Sequence, residues 1–143
     1  MKYLFLILII PLSFIDIGFS QTIEKESFVE MEGQILKIIN EHRRSIGLGD
    51  LVYNKAVYNE AKQHSINMAN GKTPFSHDGF DNRFDRLMKT VGGSSMAENV
   101  ALGQTTAQDV VDSWLSSEGH KQNIEGNFNL TGIGIARGND EDL

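Results

Sequence analysis

Hydrophobic residues in the first part of the chain recur at three- and four-residue steps, which places them on one face of a helix. The first such stripe predicts a helix over residues 28–46 and consists of Phe28, Met31, Ile35, Ile38, Ile39, His42 and Ile46. A second helix is predicted after Asn54, a residue type suited to an N-cap, and ends near Gly71. Asp81 is predicted to cap a short third helix.

The pattern changes towards extended structure in the later part of the chain. Residues 96–102 predict a short strand, and residues 130–136 alternate large side chains with glycine, which suits a strand approached closely by another backbone. Between them, Thr106 and Asp109 form a capping pair at the head of a helix that is predicted to end near Gly119. Helices precede the clear strands, so the predicted class is α+β.

The N-terminal residues are typical of a secretory signal peptide. Lys2 precedes an apolar run over residues 3–15, and Gly18-Phe19-Ser20 supplies small residues for cleavage. We therefore predict a signal peptide over residues 1–20, a flexible leader over 21–27 and a single domain over 28–143. No second long apolar run follows, so no membrane span is expected in the mature chain, which would be secreted or periplasmic.

Composition removes several classes of function. The 143 residues carry a net charge of −6 and no basic stripe, which argues against nucleic acid as the partner. The chain has no cysteine, so disulfide scaffolds, thiolate zinc sites and cysteine nucleophiles are excluded. Short motifs for phosphate binding, dinucleotide binding and serine hydrolysis are also missing. Histidine, carboxylate and hydroxyl chemistry remain.

A dispersed group of residues could ligate a metal or transfer protons: His77, Glu98, Glu118 and His120. Their spacing alone is a weak signal, because no local geometry brings them together. Each also has an ordinary structural interpretation. His77 could stabilise its turn, and Glu98 could bond neighbouring backbone N–H groups. His42 and His64 lie on apolar stripes and are predicted to be core histidines bonded to backbone.

Six motifs occur in one order and carry a resemblance to a known family. They are Asn40-Glu41-His42-Arg43-Arg44, Ala61 with His64-Ser65 and Met68-Ala69, Phe75-Ser76-His77, Ala97-Glu98-Asn99-Val100-Ala101, Trp114 with Gly119-His120 and Asn123-Ile124, and Gly132-Ile133-Gly134-Ile135-Ala136. The series resembles the CAP superfamily, whose domains are also called SCP domains, and is most similar to its cysteine-free bacterial branch. The resemblance covers roughly residues 30–137.

The resemblance implies an α-β-α sandwich with a central antiparallel sheet and a cleft lined by two histidines and two acidic residues. His77, Glu98 and His120 match the family positions. The fourth position falls on Ser117, so the neighbouring carboxylate Glu118 is the weakest assignment. Relatives continue into a further strand after Gly-Ile-Gly-Ile, whereas this sequence ends soon afterwards, so the sheet is expected without its last strand.

Two imidazoles and one or two carboxylates suit Zn²⁺ or another divalent metal, and binding would fade below a pH of about 6.5 as the imidazoles protonate. A metal-free cleft of hydrogen-bonded His and Glu side chains is the alternative. Three functions stay open. They are an extracytoplasmic module that binds a lipid, a glycan or a protein, a metal-assisted peptide or ester hydrolase with Glu98 as general base, and a structural or interaction domain without ligand.

Overall fold

The computed structural model describes residues 2–9 and 20–138, and the side chains from residue 28 onward. Its elements in chain order are β1 (Lys2–Ile9), α1 (Ser20–Ser45), β2 (Val52–Tyr53), α2 (Lys55–Ala69), α3 (Phe80–Val91), β3 (Ser95–Leu102), α4 (Ala107–Ser116), α5 (Glu118–Ile124) and β4 (Leu130–Ala136). Helices and a small sheet combine as expected for the α+β class. Among the described residues, no helix is both long and apolar enough to cross a membrane.

The helix α1 is longer than its hydrophobic stripe predicts. It begins at Ser20, so residues 21–27 are helical where a flexible leader was expected. Ile35 and Ile39 are completely buried, as the stripe requires. Ile46 lies just beyond the helix and is 48% exposed, so its predicted place in the core is wrong. A stripe identifies a face, but it does not show where the helix ends.

Capping side chains were predicted correctly at two helices and incorrectly at a third. The Asn54 side chain accepts hydrogen bonds from the backbone N–H groups of Ala56 and Val57, and Thr106 accepts one from Asp109 N–H. By contrast, α3 begins at Phe80, and its N-cap residue is Gly79, which has a φ of 77° and makes no side-chain cap. Asp81 therefore lies within the first turn and does not cap the helix. The predicted helix end near Gly119 is also corrected, because extended backbone at Ser117 separates α4 from α5.

The sheet has the strand order β2-β4-β1-β3, and every described pair is parallel. The expected antiparallel sheet is therefore corrected. Parallel neighbours need long crossover connections, and helices separate these strands along the chain. The strand β1 lies between β3 and β4 and is parallel to both. Within the described residues no strand follows β4. Residues 1 and 10–19 of the predicted signal peptide lie outside the described residues.

Helices cover both faces of the sheet. On one face, α1 and α4 bury a core around Ile35, Ile39, Trp114 and Ile133. On the other face, α2 and α3 pack through Val57, Ala61, Met68 and Leu87 against Val100 of β3. A Cβ on Gly132 or Gly134 would overlap the backbone of α2, so the predicted close approach at this strand is confirmed. The domain is an α-β-α sandwich in which β3 forms one edge of the sheet.

Candidate functional site

The candidate site lies at the edge of the sheet formed by β3. Successive residues of a strand point to opposite faces. Accordingly, Glu98 bonds side chains of α3 and of the loop before it, whereas Asn99 bonds residues of α5. His77 belongs to the loop between α2 and α3, and His120 belongs to α5. Segments that are distant in sequence therefore converge around one short strand.

Glu98 is the centre of this cluster. Its side chain is almost completely buried, and Arg83 of α3 holds it through two hydrogen bonds. Arg83 Nε donates to Glu98 Oε2 at 2.9 Å, and Arg83 Nη2 donates to Glu98 Oε1 at 2.8 Å. His77 Nδ1 lies 2.9 Å from the same Oε1. The predicted meeting of His77 with Glu98 is therefore present, with a buried arginine that the sequence analysis did not assign.

The contact between Glu98 and His77 determines which nitrogen the imidazole presents. A carboxylate paired with a guanidinium accepts hydrogen bonds, so His77 Nδ1 carries the proton and donates a hydrogen bond to Glu98. The lone pair then resides on Nε2. The His77 side chain is 51% exposed, whereas Glu98 beneath it is not. Glu98 thus orients an imidazole whose free nitrogen is available to a ligand.

Arg83 also shapes the loop that carries His77. Its Nη1 donates to the carbonyl of Asp78 at 2.7 Å, and its Nη2 lies 3.4 Å from the carbonyl of His77. His64 of α2 fixes the same loop, because its Nε2 bonds the carbonyl of Ser76 at 3.0 Å. The loop is therefore held by two buried side chains, and the position of His77 is determined by tertiary contacts on both sides.

His120 is half-buried on the other side of β3. Asn99 Nδ2 donates to the His120 carbonyl at 3.0 Å, and Asn123 Nδ2 donates to Asn99 Oδ1 at 2.7 Å. Burial lowers the pKa of His120 below its usual value, and the positive charge of a protonated His77 lowers it further. Burial therefore favours the neutral form of the His120 imidazole, which can donate one hydrogen bond and accept another.

Glu118 does not join the cluster. Its Oε1 accepts a hydrogen bond from Gln122 Nε2 at 3.1 Å along the exposed side of α5. The structure thus brings together His77 and Glu98, holds the His120 backbone against Asn99 of β3, and leaves Glu118 at the surface. Glu118 was predicted as the least secure of the metal ligands, and its side chain lies outside the cluster; its position matched the family pattern only after a one-residue shift.

The other two histidines have separate roles. His64 is buried and bonded to backbone, as predicted for a core histidine, and burial is the main cause that lowers its pKa. Its Nε2 is nevertheless only 3.9 Å from Glu98 Oε1, so it forms part of the wall behind the site. His42 bonds the Glu125 side chain at 2.8 Å, where a backbone partner was expected.

One signal could have identified Arg83 in advance. Glu98 lies in a strand among alanine and valine, and a buried carboxylate requires a charged or multiply hydrogen-bonding partner. An arginine on a neighbouring helix is the best match, because its fork binds both carboxylate oxygens. Nothing in the spacing of the sequence, however, shows which arginine lies close enough.

The donor set at the site differs from the one expected for a metal. Among residues 28–138, no group of three or more His, Asp and Glu side chains could hold a metal ion. Both oxygens of Glu98 accept hydrogen bonds from Arg83, whose positive charge opposes a cation, so Glu98 does not fit as a ligand. The His77 imidazole does fit, because metal-binding histidines commonly donate their other N–H to a carboxylate. The available donors are therefore His77 and His120.

Comparison with known proteins identifies the family of this chain. The family model described as CAP, Cysteine-rich secretory protein family, matches residues 36–143. The uncharacterized protein YkwD of Bacillus subtilis strain 168 is 35% identical over 108 residues, which cover 73% of this chain and 41% of that relative. The chain therefore spans less than half the length of the curated relative it matches. No solved structure matches the chain. By its sequence and its α+β fold, this cysteine-free chain belongs to the CAP family of cysteine-rich secretory proteins.

Proposed function

We propose that this CAP domain is an extracytoplasmic binding module whose ligand is held by the imidazoles of His77 and His120. The observation that carries the proposal is the buried Glu98 carboxylate, which Arg83 holds and which orients the exposed ring of His77. Burying an ion pair costs solvation energy that Coulomb attraction repays only with good geometry. That cost is understandable if the pair must hold an exposed imidazole in one orientation.

A purely structural role explains less of the arrangement. The ion pair between Glu98 and Arg83 neutralises both buried charges without His77. The Arg83 guanidinium also already bonds the carbonyl of Asp78 in the loop before α3. The exposed His77 ring adds little apolar burial to the domain. Its fixed tautomer, however, gives a ligand a hydrogen-bond acceptor or a metal donor in a defined direction.

A pair of imidazoles is best suited to a divalent metal ion such as Zn²⁺, which would form part of the bound ligand. His77 Nε2 and His120 would hold it, and the bound ion would supply positive charge for an acidic or carbonyl group of a larger ligand. Two imidazoles provide fewer protein ligands than the three or four of high-affinity zinc sites, so binding is expected to be weak. A lipid, a glycan or a protein would supply the remaining contacts.

Calorimetric titration with Zn²⁺ tests this proposal. Wild type is expected to bind with a Kd of about 10–100 μM at pH 7.5, and a His77→Ala/His120→Ala variant to lose at least roughly tenfold in affinity. Glu118→Gln is the matched control, because this carboxylate lies on the same helix as His120 but outside the cluster. Binding should weaken below a pH of about 6.5, where protons compete for imidazole. Equal heats for wild type and the double variant would contradict the proposal.

The hydrolase alternative has less support. A general base needs a lone pair free to take a proton from water, and it must lie within hydrogen-bond reach of that water. Both Glu98 oxygens accept bonds from Arg83, and one also contacts His77. Glu98 is therefore better placed to orient His77 than to act as the base itself.

Export is part of the same proposal and rests on the signal-like residues 1–20. The same segment contains β1, which lies between β3 and β4. Cleavage after Ser20 would remove this strand and leave that position in the sheet to another strand. We expect the exported protein to begin near residue 21, which intact-mass measurement on the extracytoplasmic fraction checks. An exported chain that retained residues 2–9 would contradict the cleavage.

A further inference from the structure

The strand β1 fills a position between β3 and β4, which are not neighbours in the sheet. Along β3, its register runs from Lys2 opposite Ser95 to Ile9 opposite Leu102. Along β4, it ends with Ile9 opposite Ala136. Neighbouring strands lie about 4.8 Å apart, so β3 and β4 are separated by the width of one strand. We call this position between them the β1 slot.

The backbone of β3 directs its hydrogen-bonding groups into this slot. On the other edge of β3, the carbonyl of Glu98 accepts a hydrogen bond from the Asn123 side chain of α5. The carbonyl of Val100 accepts one from Trp114 Nε1 of α4 on the same edge. Backbone groups of successive residues alternate between the two edges of a strand, so the intervening Asn99 presents its N–H and C=O groups to β1.

The backbone of β4 faces the slot from the other side. Asn54 N–H donates to the carbonyl of Thr131 at 2.8 Å, which directs the odd-numbered residues of β4 towards β2. The even-numbered residues, such as Gly132 and Gly134, therefore present their backbone groups to β1. Both β3 and β4 are buried along most of their length. An empty slot would thus leave backbone groups without partners in the interior, which is costly.

The surroundings of the slot determine the chemistry of the segment that fits it. The helices α1 and α4 cover one face of the sheet, and α2 and α3 cover the other. A parallel strand covered on both faces needs apolar residues at successive positions, and not only at alternate ones. Residues 3–9, Tyr-Leu-Phe-Leu-Ile-Leu-Ile, form such an unbroken run. The slot therefore suits an extended apolar segment that contains neither proline nor charge.

We propose that the β1 slot of the cleaved protein binds an extended apolar segment of another polypeptide chain, in parallel register with β3 and β4. The inference rests on the proposed function in one respect, since cleavage after Ser20 is what separates residues 2–9 from the domain. The pairing of residues 2–9 supplies the binding mode. Main-chain hydrogen bonds to both neighbouring strands provide affinity, and the covered faces select an apolar sequence.

Refolding of the cut chain tests the proposal. A specific protease site is inserted within residues 10–19 of the full chain, so the experiment does not depend on processing by the cell. The cut pieces are separated in urea, and the large piece is refolded with a fluorescein-labelled peptide of residues 2–9 that carries a C-terminal lysine tag for solubility. Anisotropy is expected to show saturable binding with a Kd of about 1–10 μM. Circular dichroism should return to that of the uncut protein.

Two peptide variants separate main-chain pairing from general apolar attraction. Leu6→Pro removes a backbone N–H at the centre of the strand and should weaken binding at least roughly tenfold. Leu6→Val is the matched control, because it keeps the N–H and the apolar character, and it should bind within about threefold of the unchanged peptide. Equal binding of the two variants would overturn the proposal.

Disulfide formation tests the parallel register, since the chain has no cysteine of its own. The Ser95→Cys substitution places a thiol opposite residue 2 of the bound strand. A Lys2→Cys peptide should therefore crosslink at least roughly tenfold faster than an Ile9→Cys peptide, which an antiparallel strand would favour. Faster crosslinking of the Ile9→Cys peptide, absence of peptide binding, or a refolded large piece that excludes the peptide, alone or as a dimer, would each overturn the proposal. These outcomes leave the Zn²⁺ titration and the test of cleavage unaffected.

Discussion

Replacing Arg43 with methionine is expected to destabilise the domain by about 3–5 kcal/mol. Arg43 is only 2% exposed, and its guanidinium donates hydrogen bonds to four backbone carbonyls. These acceptors are the carbonyls of Gly49, Ile124, Gly126 and Phe128, at 2.6 to 3.1 Å. The side chain thus connects α1 to the segment between α5 and β4. Methionine would fill part of the volume but leave several buried carbonyls without donors.

The neighbouring Arg44 provides the matched control. Its guanidinium binds the Asp50 carboxylate at 2.7 Å, but both side chains are about half exposed. Exposed ion pairs contribute little, so Arg44→Met is expected to cost less than about 1 kcal/mol. Urea unfolding followed by the fluorescence of Trp114 measures both free energies of unfolding. If the two variants lost the same stability, the interpretation of Arg43 as a buried connector would be wrong.

Replacing Arg83 with methionine is expected to cost about 3–5 kcal/mol as well, because it leaves the buried Glu98 carboxylate without its positive partner. The double variant Arg83→Met/Glu98→Leu removes both charges and should recover much of that loss, since a well-packed apolar pair often replaces a buried ion pair without penalty. The same denaturation experiment applies. A double variant less stable than Arg83→Met alone would contradict this account of the pair.

Arg86 is the matched control for Arg83. It lies one turn further along α3 and also binds a carboxylate through two nitrogens, with both distances to Glu60 at 2.7 Å. The Arg86 side chain is 55% exposed, whereas that of Arg83 is 6% exposed. Arg86→Met is therefore expected to cost less than about 1 kcal/mol. The two arginines share the helix and a carboxylate held through two nitrogens, but Arg83 is buried and also bonds the carbonyl of Asp78.

The double variant also connects stability with the proposed function. Without Glu98, His77 loses the carboxylate that orients its ring, although the fold can survive. We therefore expect a stable Arg83→Met/Glu98→Leu protein to bind Zn²⁺ more weakly than wild type. A structural role alone for the pair would leave the binding heat unchanged.

Local chemistry explains which elements were predictable. Asn54 and Thr106 cap their helices through hydrogen bonds to residues two or three positions away, so the sequence contains the whole interaction. The buried stripe of α1 follows from helical periodicity in the same way. The prediction that Asp81 caps α3 was wrong because the helix begins after Gly79, without a side-chain cap. The burial of residues at a helix end, such as Ile46, depends on the segments that pack beyond the helix.

The site was predictable only through resemblance to the CAP family. His77, Glu98 and His120 carry no local signal, and their assignment relied on matching motifs. Arg83 was missed because no motif contained it, although it makes the strongest contacts with Glu98. The strand direction was also missed. Pairing between distant strands depends on how the helices pack, and periodicity within one strand does not encode its neighbour.

By itself, the sequence determined the α+β class, most helices, both long strands after residue 90 and the absence of cysteine chemistry. These features depend on side-chain periodicity, capping and composition, which act within a few residues. Only the tertiary structure decided that Arg83 pairs with the buried Glu98 carboxylate and that Glu118 stays at the surface. Such features arise when segments distant along the chain exclude water together, and a charge or hydroxyl acquires its role from the partner that replaces that water.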